Sequence, residues 1–329
     1  MQPTHFLHKV LLESCQNIHK KRMTALFDAA AGLIRHRKLS LVGIGRSLIA
    51  KAKTKHQIKR IDRLLTNKKL QKERTAFYKT TARLILGNKK RPVVLVDWAV
   101  INILRNFWII RATVPLNGRS IILYEEVHPE RLLDNPKINR SFLQTLSTLL
   151  PADCRPIIVT DAGFRNPWFK AVIELGWDFV GRVRNRTLFR GSQGKDWLGC
   201  KSLYTKATQT PAYFGEVSLS NKNSIKCHFY LFKQKPKNRI CKTNKGTRSK
   251  QSTSLKHSKR EREPWLLASS IFREEIAPTK IVEIYKSRMK IECSFRDYKN
   301  QRNGFSRIFD GRRQTREDGA GPECQGLYQ

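Results

Sequence analysis

The sequence predicts a mixed α/β fold that is preceded by an all-helical segment. Within the first 88 residues, apolar side chains recur at helical spacing, whereas from residue 92 onward they form extended runs. Two of these runs, 92–97 and 156–161, are apolar enough to be buried strands, and each ends in an aspartate. Helical segments alternate with the strands, which is the pattern of a mixed sheet covered by helices.

The helical segment contains a pair of helices with a basic surface. Ser40 is a suitable N-cap for a helix over 41–50, and a basic turn leads into a second helix over 56–66. Three cations fall on the solvent side of the second helix: Lys59, Arg60 and Arg63. This arrangement favours a DNA-binding helical pair, and the alternative is a helical bundle with a solvated basic face.

A hairpin is predicted after the first buried strand. Asn117-Gly118 separates the extended runs 107–114 and 120–127, and this dipeptide favours the positive φ angles of a tight turn. Three further elements follow: helices over 137–150 and 166–175, and a strand over 177–183. The two strands that end in aspartate are expected to lie side by side.

Residues 184–264 interrupt this pattern with short strand-like pieces and a basic stretch. Strand-like pieces occur at 216–220 and 225–232, and the stretch 233–262 has too few apolar residues to pack a core. An apolar strand resumes at 265–271, after which Pro278 opens one helix that is predicted to continue to about residue 300.

The chain carries a large excess of positive charge, formally +39 from 65 Lys and Arg against 26 Asp and Glu. Residues 1–91 hold 23 of the cations against four acids, and residues 233–262 hold 12 against one. Charge of this density repels itself unless a polyanion neutralises it. Nucleic acid is therefore the expected partner, and an anionic membrane surface is the second choice.

Secreted, membrane-spanning and zinc-ribbon proteins are not expected from this sequence. The N-terminal residues lack the apolar core of a secretory signal, and the most hydrophobic stretch, 92–110, is interrupted by Asp97 and Arg105. The seven cysteines form no CxxC pair, which argues against a zinc ribbon or a disulfide scaffold. We therefore expect a cytoplasmic protein without a membrane segment.

Three carboxylates are the candidate catalytic groups. Asp97 and Asp161 end the two buried strands, and Glu292 lies on the last predicted helix. Converging carboxylates suit two-metal phosphoryl transfer, because Mg²⁺ prefers oxygen ligands. Either aspartate alone is explained as readily by a helix cap, so the prediction rests on the combination.

The last helix offers further polar groups beside Glu292. On a continuous helix Tyr285, Glu292 and Lys299 form one stripe with Arg288 at its side, because they are seven residues apart. The neighbouring face, which includes Ile291, can be buried. The polar stripe would suit a phosphate and a base, and the alternative is a solvated face with i,i+4 ion pairs.

The motif formed by these residues, Y-(2)-R-(3)-E-(6)-K, resembles that of the DDE cut-and-paste transposases of insertion-sequence family four. Four sequence blocks are similar to the transposon-ten group of this family: LVDW (95–98), VTDAGF (159–164), KTKHQIKRIDRLL (53–65) and IECSFRDYK (291–299). The resemblance covers about residues 1–304. It implies a ribonuclease-H-like core with a β-rich insertion, in which Asp97, Asp161 and Glu292 hold two Mg²⁺ or Mn²⁺ ions.

The resemblance also implies roles for residues near the acids. Tyr285, Arg288 and Lys299 would hold DNA at the cleavage site. Trp265 would stack on a base that is flipped out of the duplex, and Met289 would fill the gap that the base leaves. For Trp265 the alternative is a core position in its strand.

The resemblance implies cut-and-paste transposition by a dimer that is associated with the bacterial nucleoid. Its steps are terminal-repeat binding, strand cleavage, hairpin formation and opening, and strand transfer. Four parts are expected: a helical end-binding domain at 1–88, a catalytic core at 89–183 and 265–304, the insertion at 184–264, and an irregular tail at 305–329. The tail departs from the family, which continues with helices, and suggests a truncated or frameshifted copy. The alternatives are a remnant that only binds DNA and a structure-specific nuclease of the same fold.

Overall fold

A ten-stranded mixed sheet with helices on both faces forms the centre of the structure, a computed structural model that describes residues 3–102, 106–184, 187–235, 247, 251–252 and 263–299. The strands are β1 (Val93–Asn102), β2 (Phe107–Pro115), β3 (Ser120–Pro129), β4 (Ile157–Thr160), β5 (Asp178–Val183), β6 (Leu188–Gly191), β7 (Leu198–Gly199), β8 (Ala212–Leu219), β9 (Ile225–Phe232) and β10 (Trp265–Ser269). The α-helices are α1 (Pro3–Ser14), α2 (Lys20–His36), α3 (Leu41–Arg46), α4 (Thr54–Leu65), α5 (Lys68–Leu86), α6 (Pro136–Leu149), α7 (Asn166–Glu174), α8 (Pro278–Lys286) and α9 (Met289–Lys299).

The order of the strands is β3-β2-β1-β4-β5-β10-β9-β8-β6-β7. The first three form an antiparallel meander, and β4 and β5 then continue the sheet parallel to β1. This order, with helices on both faces, is the ribonuclease-H-like mixed α/β arrangement, so the predicted fold class is confirmed. The expected pairing of the two strands is confirmed as well, since β1 and β4 are direct neighbours. The prediction that each strand ends in its aspartate is wrong for Asp97, which lies within β1, while Asp161 directly follows β4.

Alternation along the strands divides the core between the two faces of the sheet. Val94, Val96 and Ile158 point to one face, where α5, α6 and α7 cover them. Leu95 and Val159 point to the other face and pack against apolar residues of α8 and α9. The second face is therefore the one on which the last two helices can meet side chains from β1 and β4.

The five N-terminal helices pack around two small cores of their own. Residues of α1 and α2 form one core with part of α5, and residues of α2, α3 and α4 form the other. Ser40 caps α3 as predicted, because its hydroxyl accepts a hydrogen bond from the Gly43 N–H. The helix predicted over 41–50 is shorter than expected and ends at Arg46. Gln57 of α4 donates to the carbonyls of Ala50 and Ala52 and so fixes the turn between α3 and α4.

The insertion is continuous with the central sheet. Its strand β9 pairs with β10, which in turn pairs with β5, so β6 to β9 extend the sheet beyond the core. The predicted β-rich character is confirmed. Most of the basic stretch 233–262 and all of the tail 305–329 lie outside the described residues.

The prediction of one continuous helix from 278 to about 300 is wrong, because two helices, α8 and α9, occupy this segment. The Ser287 hydroxyl donates to the Ile284 carbonyl at 2.6 Å, a side-chain bond that competes with the helical ladder and bends helices. The predicted hairpin is confirmed, and Gly118 takes a φ of 76° in its turn. In the described part of the chain, every helix is too short or too polar to cross a lipid bilayer.

Candidate active site

The register of the parallel strands brings Asp97 and Asp161 to the same level of the sheet. Leu95 of β1 pairs with Val159 of β4, and each aspartate follows its strand residue by two positions. Because side chains alternate with a period of two, both carboxylates point to the face that α8 and α9 cover. Neighbouring strands lie about 4.8 Å apart, so the two acids are close although they are far apart in sequence.

The carboxylate of Asp97 is more enclosed than that of Glu292. Its side chain is 15% exposed, and Oδ1 accepts a hydrogen bond of 2.8 Å from the Trp98 N–H. Burial raises the pKa of Asp97 to about 7, with further increases from the negative charges of Asp161 and Glu292 and an opposing effect from Arg288. Asp97 therefore lies in a site with an excess of negative charge.

Asp161 lies just beyond the end of β4, where its Oδ1 accepts a 2.7 Å hydrogen bond from the Gly163 N–H. A fourth carboxyl group, Asp134, is near it and was not identified from the sequence. Burial raises the pKa of Asp134, Asp161 raises it further, and Arg165 opposes the increase. Asp134 also has a φ of 56°, an unusual backbone conformation for a residue with a side chain.

The break between α8 and α9 directs Arg288 toward the acids. Its Nη2 lies 2.6 Å from Glu292 Oε1, and its Nη1 lies 3.7 Å from Asp97 Oδ2. The Arg288 side chain is 14% exposed, whereas that of Glu292 is 42% exposed. Burial alone would lower the pKa of Arg288, but Tyr285 and the nearby carboxylates raise it above its ordinary value. Arg288 thus links two of the three acids and stays protonated.

Tyr285 and Trp265 pack together beside Arg288. Tyr285 is 4% exposed, and its ring lies 5.0 Å from that of half-buried Trp265 in an edge-on arrangement. The Arg288 guanidinium is 6.0 Å from the centre of the Tyr285 ring. Trp265 also contacts Phe232 of β9, at a ring distance of 5.7 Å. The structure therefore brings together the predicted Trp, Tyr and Arg, but it buries most of the tyrosine.

A cavity of about 660 Å³ opens beside the acids. Its lining residues are Asp97, Trp98, Ala99, Val100, Trp108, Glu292, Phe295, Arg296 and Lys299. Desolvation lowers the pKa of Lys299, and the Asp97 carboxylate opposes this effect. Met289 is 45% exposed and adjoins Arg288, whose Nη2 lies 3.6 Å from its sulfur.

Arg182 of β5 extends the positive side of the site, and Arg184 directly follows this strand; neither was identified from the sequence. Thr160 of β4 pairs with Gly181 of β5, so the next residues, Asp161 and Arg182, lie at the same level. Burial lowers the pKa of Arg182, and Arg184 lowers it further. The spacing of Arg182 and Arg184 by two residues was the available sequence signal, because in an extended segment it places both side chains on one face.

The predicted cations of α4 are distant in sequence from these groups and lie in the N-terminal helices. Lys59 and Arg63 are exposed, on the side of α4 opposite to its buried residue Ile61. Arg60 is partly exposed and forms an ion pair with Asp28 of α2. Lys59 and Arg63 therefore have charges that are more available to a partner than that of Arg60.

Among the described residues, no group of three or more His, Cys, Asp and Glu side chains is arranged to hold a metal ion as it stands. Arg288 links Asp97 to Glu292 and supplies positive charge there. The three carboxylates nevertheless fit a hard divalent cation, because such cations prefer oxygen ligands. Asp161 and Glu292 disfavour the ionised form of Asp97, and a bound cation would offset this repulsion.

Residues 133–317, more than half of the chain, match the family described as transposase DDE domain. The chain belongs to this family. The matched range contains Asp161 and Glu292, and Asp97 precedes it. DDE transposases generally use divalent metal ions.

The chain is also similar to one chain of the cryo-EM structure of the piggyBac transposase synaptic complex with hairpin DNA, with a TM-score of 0.44 and 10% identity. The match covers 85% of this chain and 59% of the other, so the chain spans about three fifths of that protein's length. No curated protein matches the sequence.

Proposed function

We propose that this DDE transposase catalyses cut-and-paste transposition of an insertion sequence of family four, in the transposon-ten group. The observation that carries the proposal is the convergence of three acids on one face of the sheet. Asp97 and Asp161 lie at one level of adjacent parallel strands, and Arg288 links Asp97 to Glu292 of the covering helix. The reaction would be Mg²⁺- or Mn²⁺-dependent phosphoryl transfer on double-stranded DNA.

Asp97, Asp161 and Glu292 would hold two divalent ions. The charge pattern supports this, since Asp97 is buried next to two other carboxylates that raise its pKa. When bound, the ions would supply activation of the attacking oxygen and stabilisation of the leaving oxygen. Asp97 must be ionised to hold an ion. In the metal-free chain, burial and the neighbouring acids disfavour its ionised form.

The cations around the acids would bind the phosphates of the DNA strand that is cut. Arg288 is held between Asp97 and Glu292 and can give up these contacts for a phosphate while it stays protonated. Lys299 lines the cavity beside Asp97, and Arg182 lies level with Asp161 on β5. These three positive charges surround the place where a scissile phosphate would meet the carboxylates, and they would orient it for in-line attack.

Base extrusion is proposed for Trp265, Tyr285 and Met289. The half-buried indole of Trp265 packs on Tyr285, so its remaining surface is a rigid platform for a base. Stacking of this kind is worth about 1–3 kcal/mol per base, which offsets part of the cost of flipping. The exposed thioether of Met289 is long and flexible enough to enter the space that the base leaves.

The N-terminal helices are proposed to bind the terminal inverted repeats. Helices α1 to α5 end at Leu86, and β1 begins at Val93, which supports a boundary between an end-binding domain (1–88) and the catalytic core. Lys59 and Arg63 would contact phosphates with their exposed charges, with a smaller part for Arg60. Two such chains would pair two ends, cut each through a hairpin intermediate, and join them to target DNA.

The test is cleavage of a labelled duplex that carries the terminal repeat found next to the coding sequence, with Mn²⁺ or Mg²⁺. We expect cleavage by the wild type and none by Asp97→Asn, Asp161→Asn or Glu292→Gln, while Asp153→Asn, a change at an exposed acid outside the site, leaves it intact. Cleavage that does not depend on the terminal-repeat sequence would identify a structure-specific nuclease. Repeat binding with a steep salt dependence but without cleavage would identify a DNA-binding remnant.

A further inference from the structure

Arg111 is a fully buried charge directly beside the acidic site. It lies on β2 and is the cross-strand partner of Asp97 on β1, with 1% of its side chain exposed. Because the two residues are partners, their side chains point to the same face, the one that α9 covers. A buried guanidinium is costly unless it is paired, so its presence here requires an explanation.

The charge of Arg111 is neutralised from β3 rather than by Asp97. Its Nε donates to Glu125 Oε2 at 2.7 Å. A bulge makes this possible, because Thr113 pairs with Ile122 and Ala112 with Tyr124, which leaves Leu123 as an extra residue. Without the bulge, the alternation would place Tyr124 opposite Arg111. The bulge instead turns Glu125 toward Arg111, in line with the use of bulges to re-aim side chains beside active sites.

The Arg111 guanidinium contacts two aromatic rings of the helix that carries Glu292. The Arg111 Cζ lies 4.7 Å from the ring centre of Phe295 and 4.8 Å from that of Tyr298, both on α9. Phe295 follows Glu292 by three residues, so the two side chains lie on adjacent parts of the helix surface. The Arg111 Nη2 makes no hydrogen bond to the described residues, so the two ring contacts are the main contacts at this end of the group.

The geometry points to Arg111 as a positioning residue: it fixes α9 on the sheet through Phe295 and Tyr298 and thereby holds Glu292 over Asp97. An apolar side chain would fill the same space, but it would not combine two ring contacts with an ion pair to β3. The inference rests on the proposed catalytic role of Glu292 for its functional consequence. Its structural part, that Arg111 orders α9, is independent of that role.

The hairpin offers a matched control in Arg119. This arginine also reaches α9, where its Nε lies 2.5 Å from Asp297 Oδ2, but its side chain is 60% exposed. An exposed ion pair of this kind contributes little to stability. A comparison of Arg111 with Arg119 therefore separates the buried stacking arrangement from a general tie between the hairpin and the helix.

The experiment compares wild type, Arg111→Lys, Arg111→Met and Arg119→Ala as full-length chains. Amide hydrogen exchange of residues 291–299 is measured without DNA, together with thermal unfolding. Duplex affinity and single-turnover cleavage are then measured on the repeat-bearing duplex with Mn²⁺. For both Arg111 variants we expect faster exchange in α9, repeat affinity within about twofold of wild type, and cleavage slower by about tenfold to a hundredfold. Arg119→Ala should resemble the wild type in all measurements.

Two results would overturn the proposal. One is that Arg111→Lys exchanges its α9 amides and cleaves DNA at the same rates as the wild type, since lysine keeps the charge but lacks the planar guanidinium that contacts the two rings. The other is faster exchange throughout the sheet with a lowered unfolding temperature in both Arg111 variants, which would make Arg111 a general core residue. If the wild type itself cleaves no DNA, the proposed function fails, while the exchange measurement still decides the ordering of α9.

Discussion

The guanidinium of Arg288, a residue at the break between helices α8 and α9, lies 3.7 Å from the Asp97 carboxylate. The same group contacts Glu292 at 2.6 Å. Arg288 therefore stabilises the ionised form of Asp97, which burial and the neighbouring carboxylates disfavour. A bound cation and a phosphate would compete for these same groups, which makes the site sensitive to pH and to divalent ions.

Cleavage should rise with pH through neutrality. Asp97 must be ionised to bind a cation, and burial with two acidic neighbours raises its pKa to about 7. The midpoint should move to higher pH when less Mg²⁺ is supplied, because the cation and the proton compete for one carboxylate. Single-turnover rates at two Mg²⁺ concentrations between pH 5.5 and 8.5 measure this. A midpoint that does not change with the Mg²⁺ concentration would contradict the role of Asp97 as a cation ligand.

Replacement of Arg288 should affect both the rate and its pH dependence. Because Arg288 lowers the pKa of Asp97, Arg288→Met should move the midpoint upward. It should also slow cleavage by about a hundredfold at high pH, since a charge next to the reacting phosphate is lost. Arg288→Lys is the control that keeps the charge. Its midpoint should remain near that of the wild type, and a shift equal to that of Arg288→Met would show that geometry, not charge, sets the pKa.

Asp97→Asn should stabilise the metal-free protein at pH 8. The raised pKa means that, between about pH 4 and 7, folded Asp97 retains a proton that the unfolded chain releases. The free energy of unfolding contributed by this group is thus fully present at low pH and is lost as the pH rises through 7. We expect the variant to be more stable by on the order of 2 kcal/mol at pH 8, and by little near pH 4.

Thermal unfolding in chelator-containing buffer over this pH range measures the effect. Asp153→Asn, a change at an exposed acid, is the matched control and should show no pH-dependent gain. Added Mg²⁺ should raise the unfolding temperature of the wild type but not of Asp97→Asn. Equal stability of wild type and Asp97→Asn at every pH would show that the carboxylate is not destabilised in the folded state.

The exposed cations of α4 should determine the salt dependence of repeat binding. Lys59→Ala and Arg63→Ala should each reduce the slope of log affinity against log salt by about one. Arg60→Ala should reduce it less, because Arg60 already pairs with Asp28. Fluorescence anisotropy on the repeat-bearing duplex gives the slopes, with Lys137→Ala on α6 as the control. Equal slopes for all four variants and the wild type would place the DNA contacts elsewhere.

Gly45→Ala should disrupt the packing of α3 against α4. A Cβ at this position would lie 2.7 Å from the Ile58 Cα, a backbone atom that cannot move without shifting α4. We expect repeat affinity to fall by at least about tenfold, while the sheet and its acids are unaffected. Gly191→Ala on β6 is the control, since no atom lies within 4 Å of its added Cβ. Unchanged repeat affinity in Gly45→Ala would remove α4 from the binding surface.

Much of the fold was predictable from the sequence because its signals are local. The apolar runs that became β1 and β4, the Asn117-Gly118 turn and the Pro278 helix start each depend on a few neighbouring residues. The convergence of Asp97 and Asp161 was also predictable once the two apolar strands were placed side by side, although Asp97 lies within β1 rather than at its end.

The remaining features depend on side-chain contacts and strand pairing that the apolar pattern does not show. The break at Ser287 was missed because a helical period continues across it, and only the side-chain bond to Ile284 shows the bend. The burial of Tyr285 follows from its contact with Trp265, and the role of Glu125 follows from a bulge on β3. None of these has a pattern in the sequence around it, so only the three-dimensional structure reveals them.

The position of β10 in the sheet has a consequence for synthesis on the ribosome. This strand fills the place between β5 and β9, and only after it come the helices that bring Arg288 and Glu292. Folding during translation proceeds from the N-terminus, so α1 to α5 can form while the sheet is still open on one side. A nascent chain would therefore present its basic helices to nucleic acid well before it carries a complete set of carboxylates.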